Sequence, residues 1–325
     1  MKADRYREAY ALIKNSKNVL LATHESPDGD GISSMLALGL WAQDQNMRIT
    51  LYSKDPLPHN LQFLPGAANI GSIIPEGHFD LLVGFDYGDF RRLGLDAWMK
   101  TQPLLKIISF DHHPQGRQFG NIVILDPAAS STAELLYNFF AVNNLPVGGR
   151  IATCLLAGVL TDTGGFQHSN VTPATYRAAS QLTLAGVSIA AVADRLFIGR
   201  SFTALRGWGE SLMRITVDPE TGAAFSYVTA ADTIRHGVSR KHLSELSSII
   251  SRMPDVRFGA FLSEDAEAPG YIRGSLRSER HTGVDVSQIA KHFEGGGHAL
   301  ASGFQTKGSL ESVVSRLKQA AKHCY

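Results

Sequence analysis

Five short apolar runs, 19–23, 49–53, 81–85, 107–110 and 122–125, set the strongest limit on what this chain can become. Each is too short for a helix. Between the first two lies a stretch with helical period, in which Ile32, Met35, Leu36 and Leu40 recur three and four residues apart. Alternation of this kind reads as βαβ units and therefore as a parallel sheet. Helical patterns follow at 132–140 and 150–160 and continue, beyond Thr175, to about Leu212. From Met213 the pattern changes to strand-like runs at 215–217, 224–229, 258–263 and 271–276, separated by turn signals such as Asp218-Pro219-Glu220-Thr221-Gly222. Helical stretches at 243–252, 286–292 and 310–322 complete that half. The expectation is an α/β protein: a doubly wound, mainly parallel N-terminal domain (1–190), a helical connector (191–212) and a smaller α+β domain (213–325), with a cleft between the domains. A chain of 325 residues has room for two cores.

Charge narrows the function classes. With 31 Lys and Arg against 30 Asp and Glu, the chain has no bulk electrostatic grip on a long nucleic acid or an anionic membrane. A short anionic substrate fits. Two cysteines, Cys154 in an apolar run and Cys324, cannot form a disulfide framework, which suggests a reducing, cytoplasmic setting. The N-terminal stretch is polar and no run of about 18 apolar residues occurs, so neither export nor membrane insertion is expected.

The most informative segment is His24-Glu25-Ser26-Pro27-Asp28-Gly29-Asp30-Gly31, between a strand end and a helix start. It brings His24, Asp28 and Asp30 to the carboxyl edge of the sheet, where doubly wound folds bind ligands. Two aspartates this close call for a cation between them. Later segments deliver the same residue types to the same edge: Asp86 after 81–85, Asp111-His112-His113 after 107–110, and Asp162 in Thr161-Asp162-Thr163-Gly164-Gly165 after an apolar helix. An isolated aspartate past a strand is most often a cap or turn residue. Four segments converging on one edge favour a site instead.

In order and spacing these motifs resemble those of the DHH phosphoesterases. The likeness continues in Gly274-Ser275-Leu276-Arg277-Ser278 and Gly295-Gly296-Gly297-His298-Ala299, which look like the substrate motifs of the DHH-associated domain. Chain length and the absence of sensor or membrane segments point within the family to the compact nanoRNase and pAp phosphatase group. One departure stands out: the first motif often continues Ala-Ile/Leu-Gly-Ser, whereas here it reads Gly31-Ile32-Ser33-Ser34.

The resemblance implies that His24 and Asp28 hold one metal and Asp30, His112 and Asp162 the other, with Asp86 bridging. Mixed carboxylate and imidazole donors suit two Mn²⁺ ions better than Mg²⁺. Asp111 would orient a ligand imidazole and His113 would face the scissile phosphate. In the second domain, Arg277, Ser278, Gly295, Gly296, Gly297 and His298 would bind the substrate, three glycines letting backbone N–H groups approach an anion. The implied activity is metal-dependent hydrolysis of short nucleotides: oligoribonucleotides, pAp, and linear or cyclic dinucleotides. A small-phosphate hydrolase and a nucleotide sensor without turnover are the competing functions. Members of the family often dimerise, so a homodimer is kept open.

Overall fold

The computed structural model describes residues 2–322 except 75, 114–118, 199–201, 239–242, 244–245 and 266–267. Cys324 and part of the expected 243–252 helix lie outside the described residues. The chain divides into two compact units, Met1–Gly199 and Arg200–Tyr325. The segment 191–212 is therefore split. Its first residues belong to the N-terminal unit, and its last helix packs Trp208 into a core of the C-terminal one.

The first unit runs α1 (Lys2–Asn15), β1 (Asn18–Thr23), α2 (Gly29–Asp44), β2 (Arg48–Ser53), β3 (Ile70–Gly71), β4 (Leu81–Phe85), α3 (Asp96–Met99), β5 (Lys106–Asp111), β6 (Ile122–Leu125), α4 (Thr132–Val142), α5 (Gly149–Asp162), α6 (Pro173–Leu184) and α7 (Ile189–Ala193), followed by a π-helical turn at Asp194–Ile198. Its sheet has strand order β3-β2-β1-β4-β5-β6 with every pair parallel. Alternate strand residues enter two cores, Leu21 and Val83 on one face and Leu20 and Leu82 on the other. Burial on both faces explains why these runs read as continuously apolar.

Strand order reverses between β1 and β4, which makes their carboxyl ends a topological switch point. There Thr23 pairs with Phe85, and Phe85 with Phe110. The residues one step beyond that rung are His24, Asp86 and Asp111. Register alone sets three of the candidate residues side by side.

The second unit comprises α8 (Phe202–Met213), β7 (Thr216–Val217), β8 (Ala223–Val228), α9 (Ala230–His236), α10 (Leu246–Ile250), β9 (Phe258–Glu264), β10 (Tyr271–Ser278), α11 (Val286–Lys291), β11 (Gly296–His298), β12 (Ala301–Lys307) and α12 (Leu310–Lys322). Its sheet order is β11-β12-β10-β9-β8-β7, antiparallel except for β8 beside β9. Phe225 and Leu276 face α11 and α12, while Ala224 and Phe261 face α8 and α10. Two strands, β11 and β12, were not expected from the sequence. Glycine and polar residues fill them, so they lack the apolar alternation that marks a strand. Among the described residues no helix is long and apolar enough to cross a membrane.

Candidate metal centre

Asp28 caps α2, its Oδ1 accepting from the backbone N–H groups of Asp30 and Gly31 at 3.1 Å each. Two residues on, in the first turn of the helix, Asp30 is buried and reaches another helix end. Its Oδ2 accepts from Thr132 N at 2.6 Å and its Oδ1 from Ala133 N at 2.9 Å, the first turn of α4. The helix dipole there favours a negative charge. Two glycines let α5 pack closely against both of these helices. A Cβ at Gly29 would stand 2.3 Å from Thr161 Cγ2, and one at Gly158 would stand 2.6 Å from Ala133 Cβ.

Asp86 leaves β4 in the left-handed region, φ 55°, which aspartate tolerates better than most side chains. Its carboxylate is buried and divides its attention. Oδ2 lies 3.9 Å from His24 Nε2, and Oδ1 lies 3.6 Å from His112 Nε2. On the first side, His24 Nε2 is also 3.6 Å from Asp28 Oδ1. On the second, His112 Nε2 is 3.5 Å from Asp162 Oδ2 and 4.0 Å from Asp30 Oδ2. His24, Asp28 and Asp86 thus form one group, and Asp30, His112 and Asp162 another, each with ligand atoms within 4.8 Å of one another. A third grouping joins Asp86, His112 and His113. Nitrogen and oxygen donors converging at these spacings fit divalent metal ions.

Electrostatics point the same way. Burial, together with neighbouring carboxylates, holds Asp86 well above the usual carboxylate range. Burial likewise pushes Asp30 and Asp162 up to about 7 against the opposing pull of His112. Asp28 is the exception: desolvation at this half-exposed carboxylate is outweighed by His24, the Gly31 N–H and His113 together, and its pKa falls to about 2. At His112 burial opposes the charge, but Asp162 and Asp30 prevail and raise its pKa. Carboxylates crowded this closely must either keep protons or share a cation.

Asp111 is fully buried and orients His113, not His112. Its Oδ1 accepts from His113 Nδ1 at 2.8 Å and from His113 N at 3.0 Å, while Oδ2 accepts from Gly88 N at 2.7 Å. His112 instead turns Nδ1 toward the Ala129 carbonyl at 3.3 Å. Three supporting residues escaped the sequence reading. Thr132 Oγ1 donates to Asp86 Oδ1 at 2.9 Å, Asn170 Nδ2 reaches Asp162 Oδ2 at 3.4 Å, and Arg92 Nη2 lies 2.8 Å from His24 Nδ1. No motif marks them, because each reaches the site only through the fold.

The C-terminal candidates gather separately. Arg277 and His298 both pair with Ala301, on β12 between them. Directly opposed residues share a face, so the two side chains stand on one side of the sheet about 10 Å apart. Burial lowers the Arg277 pKa, and its Nε donates to Ser248 Oγ at 3.3 Å. Gly295 admits no side chain, since a Cβ would lie 2.4 Å from Gly303 O. Gly296, Gly297 and His298 form the edge strand β11, not a loose loop. Ser278 is buried, and its hydroxyl donates to Val284 O at 2.7 Å, which pins the end of β10.

The model of the DHH family's N-terminal domain matches residues 18–159, and that of the DHHA1 domain matches residues 221–324. The chain carries both domains. The first match contains every residue of the two acid and histidine groups except Asp162, three residues past its end, and the second contains the Arg277 and His298 rung. The bifunctional oligoribonuclease and PAP phosphatase NrnA of Thermus thermophilus is 28% identical over 311 residues, 94% of this chain and 89% of that protein. The probable enzyme of the same name from Streptococcus mutans is 25% identical over 98% of this chain and 99% of its own. Among solved structures, an exopolyphosphatase-related protein from Bacteroides fragilis superposes with a TM-score of 0.90 at 24% identity, covering 98% of this chain and 96% of that one. RecJ of Thermus thermophilus, solved with Mn²⁺, gives 0.58 at 14% identity, over 99% of this chain and 55% of its own. These two show the fold.

Proposed function

We propose that this protein is a metal-dependent phosphoesterase acting on short nucleotides, oligoribonucleotides of about two to five residues and pAp. The observation that carries this reading is the division of the Asp86 carboxylate between two ligand groups at the sheet's switch point. The similarity to proteins named oligoribonuclease and PAP phosphatase supports the substrate class. His24, Asp28 and Asp86 would hold one ion; Asp30, His112, Asp162 and the other oxygen of Asp86 would hold the second. Mixed imidazole and carboxylate donors favour Mn²⁺ over Mg²⁺. When bound, two such ions neutralise phosphoryl oxygens and activate water for in-line displacement.

The remaining groups have distinct tasks. Asp111 fixes the His113 ring so that the opposite nitrogen can address the phosphoryl group or the leaving oxygen. Asp30 is held by the N-terminus of α4, and Thr132 sets the rotation of Asp86. In the DHHA1 domain, Arg277, Gly295, Gly296, Gly297 and His298 bind a further phosphate through charge-assisted and backbone donors. Cytoplasmic action suits a chain whose Cys154 is a buried free thiol.

Purified protein should hydrolyse diadenylate RNA and pAp with Mn²⁺, lose activity in excess chelator, and recover more with Mn²⁺ than with Mg²⁺. Product analysis across those substrates, cyclic di-AMP and pyrophosphate identifies the preferred class. Full activity in chelator would sink the two-metal reading, and preference for pyrophosphate would replace nucleotides with small phosphates.

A further inference from the structure

Arg92 has no place in the ligand groups above, yet it touches one of them. It sits in the short 3₁₀ turn Phe90–Leu93 after β4. Its Nη1 donates to Tyr87 O at 3.2 Å, and its carbonyl accepts from Glu25 N at 2.7 Å, which ties the turn to the His24 loop. A Cβ on Gly88 would meet both Arg92 Nη1, at 3.8 Å, and His113 Cγ, at 3.7 Å, so the guanidinium and the His113 ring flank the same glycine.

The contact with His24 is chemically two-sided. His24 Nδ1 lies 2.7 Å from the Glu25 carbonyl oxygen and 2.8 Å from Arg92 Nη2. A carbonyl can only accept a hydrogen bond and a guanidinium can only donate. Nδ1 therefore serves one of them at a time: with its proton it donates to Glu25 O, and with its lone pair it accepts from Arg92. Ligation through Nε2 removes this choice. The neutral ring must then carry its proton on Nδ1, the Glu25 oxygen takes it, and Arg92 Nη2 loses its acceptor.

We propose that Arg92 is a phosphoryl-binding residue released by His24: it binds a substrate phosphate oxygen once His24 has turned its Nε2 lone pair to a cation. A half-buried guanidinium anchored at one nitrogen and open at the other presents the fork that phosphate oxygens match. His113, across Gly88, faces the same phosphoryl group. The arrangement couples the two steps, because ligation through Nε2 fixes the tautomer in which the arginine is available. This rests on the metal-dependent phosphoesterase reading above, which does not itself require Arg92.

The test separates metal binding from phosphate binding. Mn²⁺ is titrated into metal-free wild type and Arg92→Gln by calorimetry, inorganic phosphate is titrated into the Mn²⁺-saturated proteins, and KM for pAp is measured. Arg92→Gln should keep Mn²⁺ affinity within about threefold, since the Nδ1–Glu25 bond survives, while phosphate binding weakens and KM rises by about tenfold or more. Arg92→Lys should restore part of the phosphate affinity. Arg92→Met, which keeps the packed stem, repeats the measurement should the glutamine variant not fold. A tenfold loss of Mn²⁺ affinity would make Arg92 a positioning residue for His24 and overturn the proposal. Phosphate affinity equal to wild type at saturating Mn²⁺ overturns it equally. A wild type that neither binds Mn²⁺ nor hydrolyses pAp would instead overturn the underlying phosphoesterase reading.

Discussion

Gly31 lies where the first turn of α2 crosses the end of β1, and a Cβ there would stand 2.2 Å from Thr23 Oγ1 and 3.4 Å from His24 Cδ2. The departure from the usual alanine at this position thus has a partner in space: Thr23 fills the volume a methyl would take. Gly31→Ala should destabilise the protein by about 1–3 kcal/mol, and Thr23→Ala in the same chain should recover part of the loss. Thermal unfolding of the single and double variants measures the coupling; strict additivity would show that the two do not meet. At Asp86 two variants separate backbone from charge. Asparagine tolerates the left-handed backbone but cannot bring a full charge to both ligand groups. Asp86→Asn should therefore fold and still lose kcat by orders of magnitude, as Asp86→Ala should. Near-normal turnover in either would remove Asp86 from the bridging role. The types and spacing of His24, Asp28, Asp30, Asp86, His112 and Asp162 were legible because metal chemistry restricts which side chains serve. Thr132, Asn170 and Arg92 were not, since a threonine or arginine carries no such restriction.

At the scale of elements, the ion pair between Arg214, just past α8, and Asp232, in the first turn of α9, decides how those helices meet. Arg214 Nη2 donates to Asp232 Oδ1 at 3.2 Å and Nη1 to Oδ2, while Oδ2 also accepts from Thr229 N at 2.9 Å and Thr229 Oγ1 at 2.6 Å. The Arg214 hydrogen bond, joined by those from Thr229, outweighs burial and holds the Asp232 pKa well below the usual range. A depressed folded pKa means that the pair's stabilisation is fully present above the unfolded value, about 3.9, and is lost as pH falls through the folded one. Asp232→Asn should cost about 2 kcal/mol at neutral pH and should flatten the fall in stability below about pH 4. Denaturant unfolding at pH 7 and pH 3 tests this; equal losses at both pH values would show that the carboxylate charge contributes nothing. The β11–β12 hairpin was missed for a related reason. Gly295 and Gly297, required by close backbone approach, hide a strand whose evidence lies in its partner.

For the whole molecule, separate cores in the two units imply separable roles. Arg277→Ala and His298→Ala should raise KM for short oligonucleotides while leaving metal content unchanged, measured by elemental analysis beside kinetics. If either change strips metal, recognition and metal binding are not divided between the DHHA1 and DHH domains. With a near-neutral chain and one rung proposed to bind phosphate, kcat/KM should fall only shallowly with added salt and should peak at about two to five nucleotides. Faster digestion of a long single strand than of a diribonucleotide would contradict both.

Hydrophobic periodicity and the chemistry of aspartate and histidine are local, and they sufficed for the parallel sheet, its carboxyl edge and the residue types that meet there. Sidedness was not local. That Asp86 divides its oxygens between two groups, that Asp111 holds His113 instead of His112, that Ser278 turns inward and that Arg92 reaches His24 all depend on strand order, register and side-chain rotation. Those are set by packing among elements far apart in the chain, where no spacing along the sequence records the distance in space.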